Sequence, residues 1–168
     1  PAIPVTPVAA AIGVVLRGGE VLLVRRANQP DAGKWGFPGG KIDATDTTPF
    51  AAALREANEE IGLDRSLVEP IGYLDLYLTM SGYRVLPAVA RIEPGYRLTL
   101  NAEEVADAFE APLSFLMDPA NHRRHAIVAE GVRREWLSMP YLDPRGAERF
   151  IWGATAGMLR NFYRFLAA

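Results

Sequence analysis

Apolar and polar positions along the chain fall into blocks that predict its elements. Two mostly apolar runs, AAAIGVVL and EVLLVRR, flank Arg17-Gly18-Gly19 and predict a β-hairpin. The segment Ala27 to Pro38 carries Gly, Pro and polar residues and predicts a loop. From Pro49 to Ile61 the period becomes helical, with Thr48 placed to cap the start, Pro49 at the first position and Gly62 to stop it. IGYLDLYL and YRVLPAVARI, around Thr79 to Gly82, predict a second hairpin, and Pro87 assigns its second strand to a sheet edge or a bulge. Ala102 to Phe109 predicts a short helix, HAIVAEG and VRREWLSM two strands around Gly131, and GATAGMLRNFYRFL a helix burying Ala156, Leu159, Tyr163 and Leu166. Residues 1–8, with Pro1, Pro4 and Pro7, predict a loose extended arm. No repeat, low-complexity tract or linker interrupts this order. Mixed strands with two principal helices predict one domain of α/β or α+β sandwich type.

Composition narrows the chemistry. The 168 residues suffice for one sizeable core, and 49% hydrophobic with 23% charged residues is ordinary for a globular domain. A net charge of −2 and a pI near 5.7 argue against a broad basic footprint for nucleic acid. No cysteine is present, which excludes disulfides, thiolate metal sites and Cys nucleophiles and is compatible with a cytoplasmic protein. No apolar run reaches the roughly 18–20 residues that cross a bilayer. The opening PAIPVTPVAAAIGVVL has no basic leading segment and is not read as a signal peptide.

The predicted first helix carries an anomaly. On a wheel, Phe50, Leu54, Ala57 and Ile61 form its apolar stripe, and Glu56, Glu59 and Glu60 gather on the other side. Like charges at such spacing each cost about 0.2–0.5 kcal/mol in an isolated helix, and one Arg55, four residues before Glu59, does not neutralise three carboxylates. Two readings fit: a solvated acidic face, or a site for a hard divalent cation such as Mg²⁺ or Mn²⁺, which takes oxygen ligands. The preceding FPGGK supplies two glycines whose backbone can approach a ligand closely.

Taken together, these residues resemble the signature of the Nudix hydrolases. Gly40 opens it; five residues on stands Asp46 where the family has Glu; eight residues rather than seven then precede Arg55-Glu56; and Ala57, Asn58, Glu59, Glu60, Ile61, Gly62 and Leu63 complete it. The Asp, the extra residue, FPGGKIDATD and AAALREANEEIGL look like the coenzyme A diphosphatase branch. So do YLTMSGYRVLPAVARI, EEVADAFEAPLSFLMDPANH and FIWGATAGML, so that the resemblance spans about Ala9 to Leu166. The upstream Leu-Leu-Thr-x-Arg-Ser and Leu-Arg-x-His-x-Gly segment of that branch is shortened here to LLVRRANQPDAGKWGFPGG, in which Arg26 matches the first Arg.

The resemblance implies an α/β/α sandwich around a mixed central sheet and hydrolysis of a nucleoside diphosphate linked to another group. The substrate it suggests is coenzyme A or a derivative; ADP-ribose, a dinucleotide or a nucleoside triphosphate is the alternative, and a non-catalytic nucleotide sensor a third. It implies Glu56, Glu59 and Glu60, with the Gly40 carbonyl, as ligands of Mg²⁺ or Mn²⁺, and Arg55, Glu59 and Glu104 as catalytic residues, Arg55 orienting the glutamates and Glu104 acting as general base. Arg26, Trp35, Phe37 and Tyr83 are the candidate substrate contacts. His122 and His125 read as part of a solvated loop. The expected partner is a small nucleotide, with neither nucleic acid nor membrane, and a homodimer is left open.

Overall fold

The computed structural model describes residues 6–29 and 32–168. The expected arm at Pro1 and Pro4 lies outside them, and its last residue, Val8, already begins a strand. Strands β1 (Val8–Arg17) and β2 (Glu20–Arg26) are the expected hairpin, turning through Gly18 and Gly19. They pair only beside the turn, Leu16 with Val21 and Arg17 with Glu20, and then separate. The opening is filled from the expected loop and the residues just after it: β3 (Trp35–Gly36) pairs with β2, and β4 (Gly39–Lys41) pairs with β1. Strands this short have no periodicity to read. They form because the diverging hairpin leaves backbone groups that need partners.

Helix α1 (Pro49–Ile61) has the expected bounds. After it come β5 (Val68–Tyr73), β6 (Tyr77–Leu78) and β7 (Tyr83–Ile92). IGYLDLYL is therefore not one strand but the end of β5, a break, and β6. The expectation for Pro87 is corrected: β7 is an interior strand, parallel to β1 on one side and antiparallel to β5 and β6 on the other. The fully buried Pro87 is tolerated because its carbonyl side faces the break, where Leu74 donates to it at 2.9 Å. A missing N–H costs nothing at a place where no partner strand continues.

The short helix expected over Ala102 to Phe109 is also corrected. Residues 102–104 are a turn and β8 (Val105–Pro112) pairs antiparallel with β2. Alanine-rich sequence leans helical, but the free edge of β2 offers seven paired positions and wins. The resulting eight-stranded mixed sheet runs β3-β2-β1-β7-β5, with β4 on β1, β6 on β7 and β8 on β2. A short helix α2 (Leu113–Leu116) leads to a second sheet of β9 (Arg123–Ala129), β10 (Val132–Leu142) and β11 (Glu148–Trp152), in the order β11-β10-β9. The hairpin around Gly131 is as expected. His125, expected in a loop, lies on β9, and β11 had no signal strong enough to predict it.

Alternation along β1 builds the layers. Ala11 and Val15 face α1, where Ala52, Ala53, Ala57 and Ile61 pack against them with Ala88, Leu22 and Val24. Small residues on both sides let the helix lie close to the sheet. Ala10 and Val14 face the other way, into a cluster with Val21, Leu23 and Phe37, and with Met139, Tyr141 and Ile151 of the second sheet. Helix α3 (Gly153–Ala167) closes that cluster through Ala156, Met158, Leu159 and Phe162. The expected face of α3 is thus turned: Phe162 is buried, and Leu166 is exposed.

Candidate active site

The site is assembled from α1, the strand under its middle and a turn at its C-terminal end. Thr48 Oγ1 accepts from the Ala51 N–H at 3.0 Å and so fixes where α1 begins. Gly62, at φ 67° in the left-handed region, ends it, donating to Asn58 O at 3.0 Å. Pairing of β4 with β1 carries Gly39 and Gly40 beneath the helix. A Cβ on Gly39 would stand 2.4 Å from the Ala11 carbonyl oxygen, which excludes a side chain there, and one on Gly40 would stand 2.8 Å from the Glu56 carboxylate and push it aside.

The apolar stripe expected on α1 is rotated. Phe50 and Leu54 are only half-buried, while Glu60, expected on the polar side, is 6% exposed. Glu60 Oε2 accepts from the Gly39 N–H at 3.2 Å. Burial pushes the Glu60 carboxyl up to about 8, and the charges of Glu56 and Glu104 add to the rise, while the Gly39 amide and Arg26 oppose it. Burial likewise raises Glu56, with Glu59 and Glu104 contributing and Arg55 opposing. Glu59 is exposed.

Arg55 is fully engaged. Nε and Nη2 donate to the two Asp46 carboxylate oxygens at 3.1 and 3.0 Å, Nη2 also to Lys41 O at 3.2 Å, and Nη1 to Glu56 at 3.1 Å. Glu59 lies 3.6 Å from Nη1. The Asp46 carboxyl is held below its usual range by Arg55 and by the Asp43 amide. Asp46 is thus the anchor of Arg55, a role visible in the sequence only as an oddity of the motif.

Glu104 is exposed, in the turn before β8 rather than in a helix. Its place is set by backbone bonds. The last carbonyls of α1 accept from Thr99 and Asn101, Glu60 O from the Asn101 N–H at 2.8 Å. Asn101 O in turn accepts from the Glu104 N–H at 3.0 Å, and Glu104 O accepts from the Ala27 N–H at 2.9 Å. The turn is therefore clamped between α1 and the end of β2, which also brings Arg26. Asn101 is the positioning residue that sequence reasoning missed; a lone Asn in a loop gave no signal for it.

The other candidates lie elsewhere. Phe37 is 7% exposed in the cluster on the far face of the sheet, and Tyr83 packs against the same cluster. Trp35 meets Phe109 edge-on at 4.7 Å and is flanked by Arg25 and Arg149. These rings fill the join between the sheets, and Phe37, expected as a substrate contact, is instead part of the core. His122 and His125 do not form a pair: the first meets Leu116 O and Arg160, the second Ser138. Among the described residues no three His, Asp or Glu side chains are gathered closely enough to hold a metal ion as they stand. Among the same residues no helix is long and apolar enough to cross a membrane.

Comparison with known proteins agrees with the fold. Residues 6–131 match the sequence profile of the NUDIX domain. The protein named Uncharacterized Nudix hydrolase NudL from Escherichia coli (strain K12) is 38% identical over 131 residues, 77% of this chain and 65% of that one. Its counterpart from Enterobacter sp. (strain 638) is 38% identical over 144 residues, 84% of this chain and 72% of that one. The chain spans a little under two thirds of the length of most of these relatives. Among solved structures, a C. elegans Ap4A hydrolase complex superposes with a TM-score of 0.60 at 20% identity, covering 95% of this chain and 98% of that one. The NUDIX domain of Shewanella oneidensis NrtR, complexed with ADP ribose, gives 0.50 at 23% identity, covering 65% and 75%. With the profile matched over most of its length and relatives this similar, the chain belongs to the Nudix family.

Proposed function

We propose that the protein hydrolyses the pyrophosphate bond of a nucleoside diphosphate conjugate, coenzyme A or a derivative, with Mg²⁺ or Mn²⁺ as its cofactor. The observation that supports this best is Glu60: a carboxylate buried against a backbone amide, with two further carboxylates raising its pKa. Buried charges are paired or coordinate metals, and Arg55, committed to Asp46, leaves Glu60 to a cation. A hard divalent ion fits these oxygen donors. Glu56, Glu59 and Glu60, with the Gly40 carbonyl, would hold it. When bound, such an ion offsets the charge of the pyrophosphate and activates water.

The chain's own groups supply the rest. Arg55 orients Glu56 and Glu59 through its Asp46 anchor. Glu104, exposed beside the buried pair, accepts the proton of the attacking water. Arg26, exposed at the end of β2, meets a phosphate oxygen. The cysteine-free chain is in keeping with a cytoplasmic setting.

A second substrate reading is supported by the structural neighbours, an Ap4A hydrolase and a domain complexed with ADP ribose, and by the shortened segment before Phe37. Mass spectrometry of products separates the two. With Mg²⁺ or Mn²⁺, coenzyme A is expected to yield phosphopantetheine and adenosine 3′,5′-bisphosphate, and the Glu60→Gln variant to yield neither. Cleavage of ADP-ribose or a diadenosine polyphosphate alone would replace the first reading with the second.

A further inference from the structure

The C-terminal end of α1 is capped by the segment between β7 and β8. Three consecutive carbonyls, Gly62 O, Ile61 O and Glu60 O, accept in turn from the Tyr96 hydroxyl, the Thr99 N–H at 2.9 Å and the Asn101 N–H at 2.8 Å. Helix ends leave such carbonyls without partners of their own. Residues 96–101 supply the partners and run along the helix end as a three-point latch. Two of the donors are main-chain amides. The third is a side chain, and the Tyr96 hydroxyl also accepts from the Asp64 N–H at 3.0 Å.

The latch leads to Glu104. Asn101 O accepts from the Glu104 N–H at 3.0 Å and the Val105 N–H at 2.8 Å, and Asn101 Oδ1 from the Glu103 N–H at 3.2 Å. On the other side the turn is held by the Ala27 N–H and by Asn28 Nδ2. Glu104 is near enough to Glu56 and Glu60 for its charge to bear on both. The start of the latch is anchored as well. Tyr96 O accepts from Arg17 Nη1, and Arg17 makes a two-point pair with Glu110 of β8. The Tyr96 ring and Leu98 pack on the apolar cluster under α1. Arg97, Thr99 and Leu100 are exposed, and the segment borders an open cleft of about 390 Å³ lined by Leu98, Leu100, Ala108 and Glu110. Hydrogen bonds, more than enclosure, therefore set its register on the helix.

We propose that Tyr96 is a positioning residue for the reaction: its hydroxyl fixes the latch on α1 and, through Asn101, the place of Glu104 relative to Glu56 and Glu60. This rests on the assignment of Glu104 as general base. A base must stand within hydrogen-bond reach of the proton it takes, and small misplacements of reacting groups are costly. The Tyr96 hydroxyl is the one latch donor that a side-chain substitution deletes outright, since the amides of Thr99 and Asn101 stay with the backbone.

Tyr96→Phe deletes the hydroxyl and keeps the ring. Amide hydrogen exchange, which needs no substrate, is expected to be about tenfold faster at Thr99, Asn101 and Glu104 and unchanged in the middle of α1. With coenzyme A and Mg²⁺, or with ADP-ribose where that is the substrate cleaved, kcat is expected to fall about tenfold and KM to change less than about twofold. Circular dichroism checks that each variant is folded. In a Glu104→Gln background the fall is expected to vanish, because the two residues act through one proton transfer. Tyr73→Phe is the control. Its hydroxyl accepts from the Phe50 N–H at 3.0 Å at the other end of α1, and its loss is expected to leave kcat unchanged. Unchanged exchange at the three amides, a loss that adds fully to that of Glu104→Gln, or an equal loss in Tyr73→Phe would each overturn the proposal. Full turnover by Glu104→Gln would overturn the general-base assignment and the role of Tyr96 with it, and the exchange data tell the two failures apart.

Discussion

Glu60 concentrates the chemistry of the site in one side chain. Its folded value near 8 lies above its ordinary 4.5, so between these values the native state holds a proton that the unfolded chain has released. Native binding of the extra proton means that stability falls as pH rises through this window, by up to about 1.4 kcal/mol per unit from this group. In the presence of a chelator the melting temperature is expected to decline from about pH 4.5 to about pH 8. Glu60→Gln is expected to flatten that decline while removing turnover, and a pH-independent wild type would contradict the burial argument. Gly40 and Arg55 act on the neighbouring Glu56. Gly40→Ala drives a methyl group into its carboxylate, and Arg55→Ala removes a donor at 3.1 Å. Each is expected to lower turnover by about 10–100-fold, the usual cost of losing support behind a metal ligand, the role proposed for Glu56, with melting temperature separating this from unfolding.

Helix α1 is specified by its own ends. Thr48→Ala deletes the capping bond and is expected to cost about 1 kcal/mol in a denaturant titration. At Gly62 two penalties combine. The φ of 67° disfavours any side chain, and a Cβ would come 3.2 Å from Thr99 O. Because Thr99 and Asn101 carry the turn with Glu104, Gly62→Ala is expected to reduce activity beyond its stability cost, which kcat measured well below the melting transition would reveal. β8 shows the opposite situation. Nothing within VADAFEAP demands a strand, and the element exists because β2 offers an edge to it.

The two sheets are joined by packing and by one charged bridge. Arg149 of β11 reaches Asp107 of β8 at 3.0 Å and Asp143 at 3.1 Å, and its guanidinium lies over Trp35. The Ala147 amide, then the Arg145 amide and Arg149, hold the Asp143 carboxyl below its ordinary range. A carboxylate lowered in this way stabilises the fold above its ordinary pKa and loses that contribution as pH falls through the folded value. Asp143→Asn is therefore expected to destabilise the protein at neutral pH and to show a shallower loss in acid, followed by thermal melts. The shared core under the bridge stabilises the join more than the bridge does. Leu159, fully buried between α3 and both sheets, is expected to cost about 2–5 kcal/mol when cut to Ala.

The bounds of α1, its caps, the glycine pair, the acidic cluster and the mixed α+β class were all legible in the residues, since each rests on neighbours a few positions apart. Periodicity, capping and turn preference act over that range. The depth of Glu60, the backbone clamp that holds the Glu104 turn, the interior place of Pro87 and the strand at β8 were not legible. Each depends on a partner far along the chain: Gly39 for Glu60, Ala27 for the Glu104 turn, Leu74 for Pro87, β2 for β8. Burial and strand pairing are properties of such distant contacts, and local pattern does not contain them.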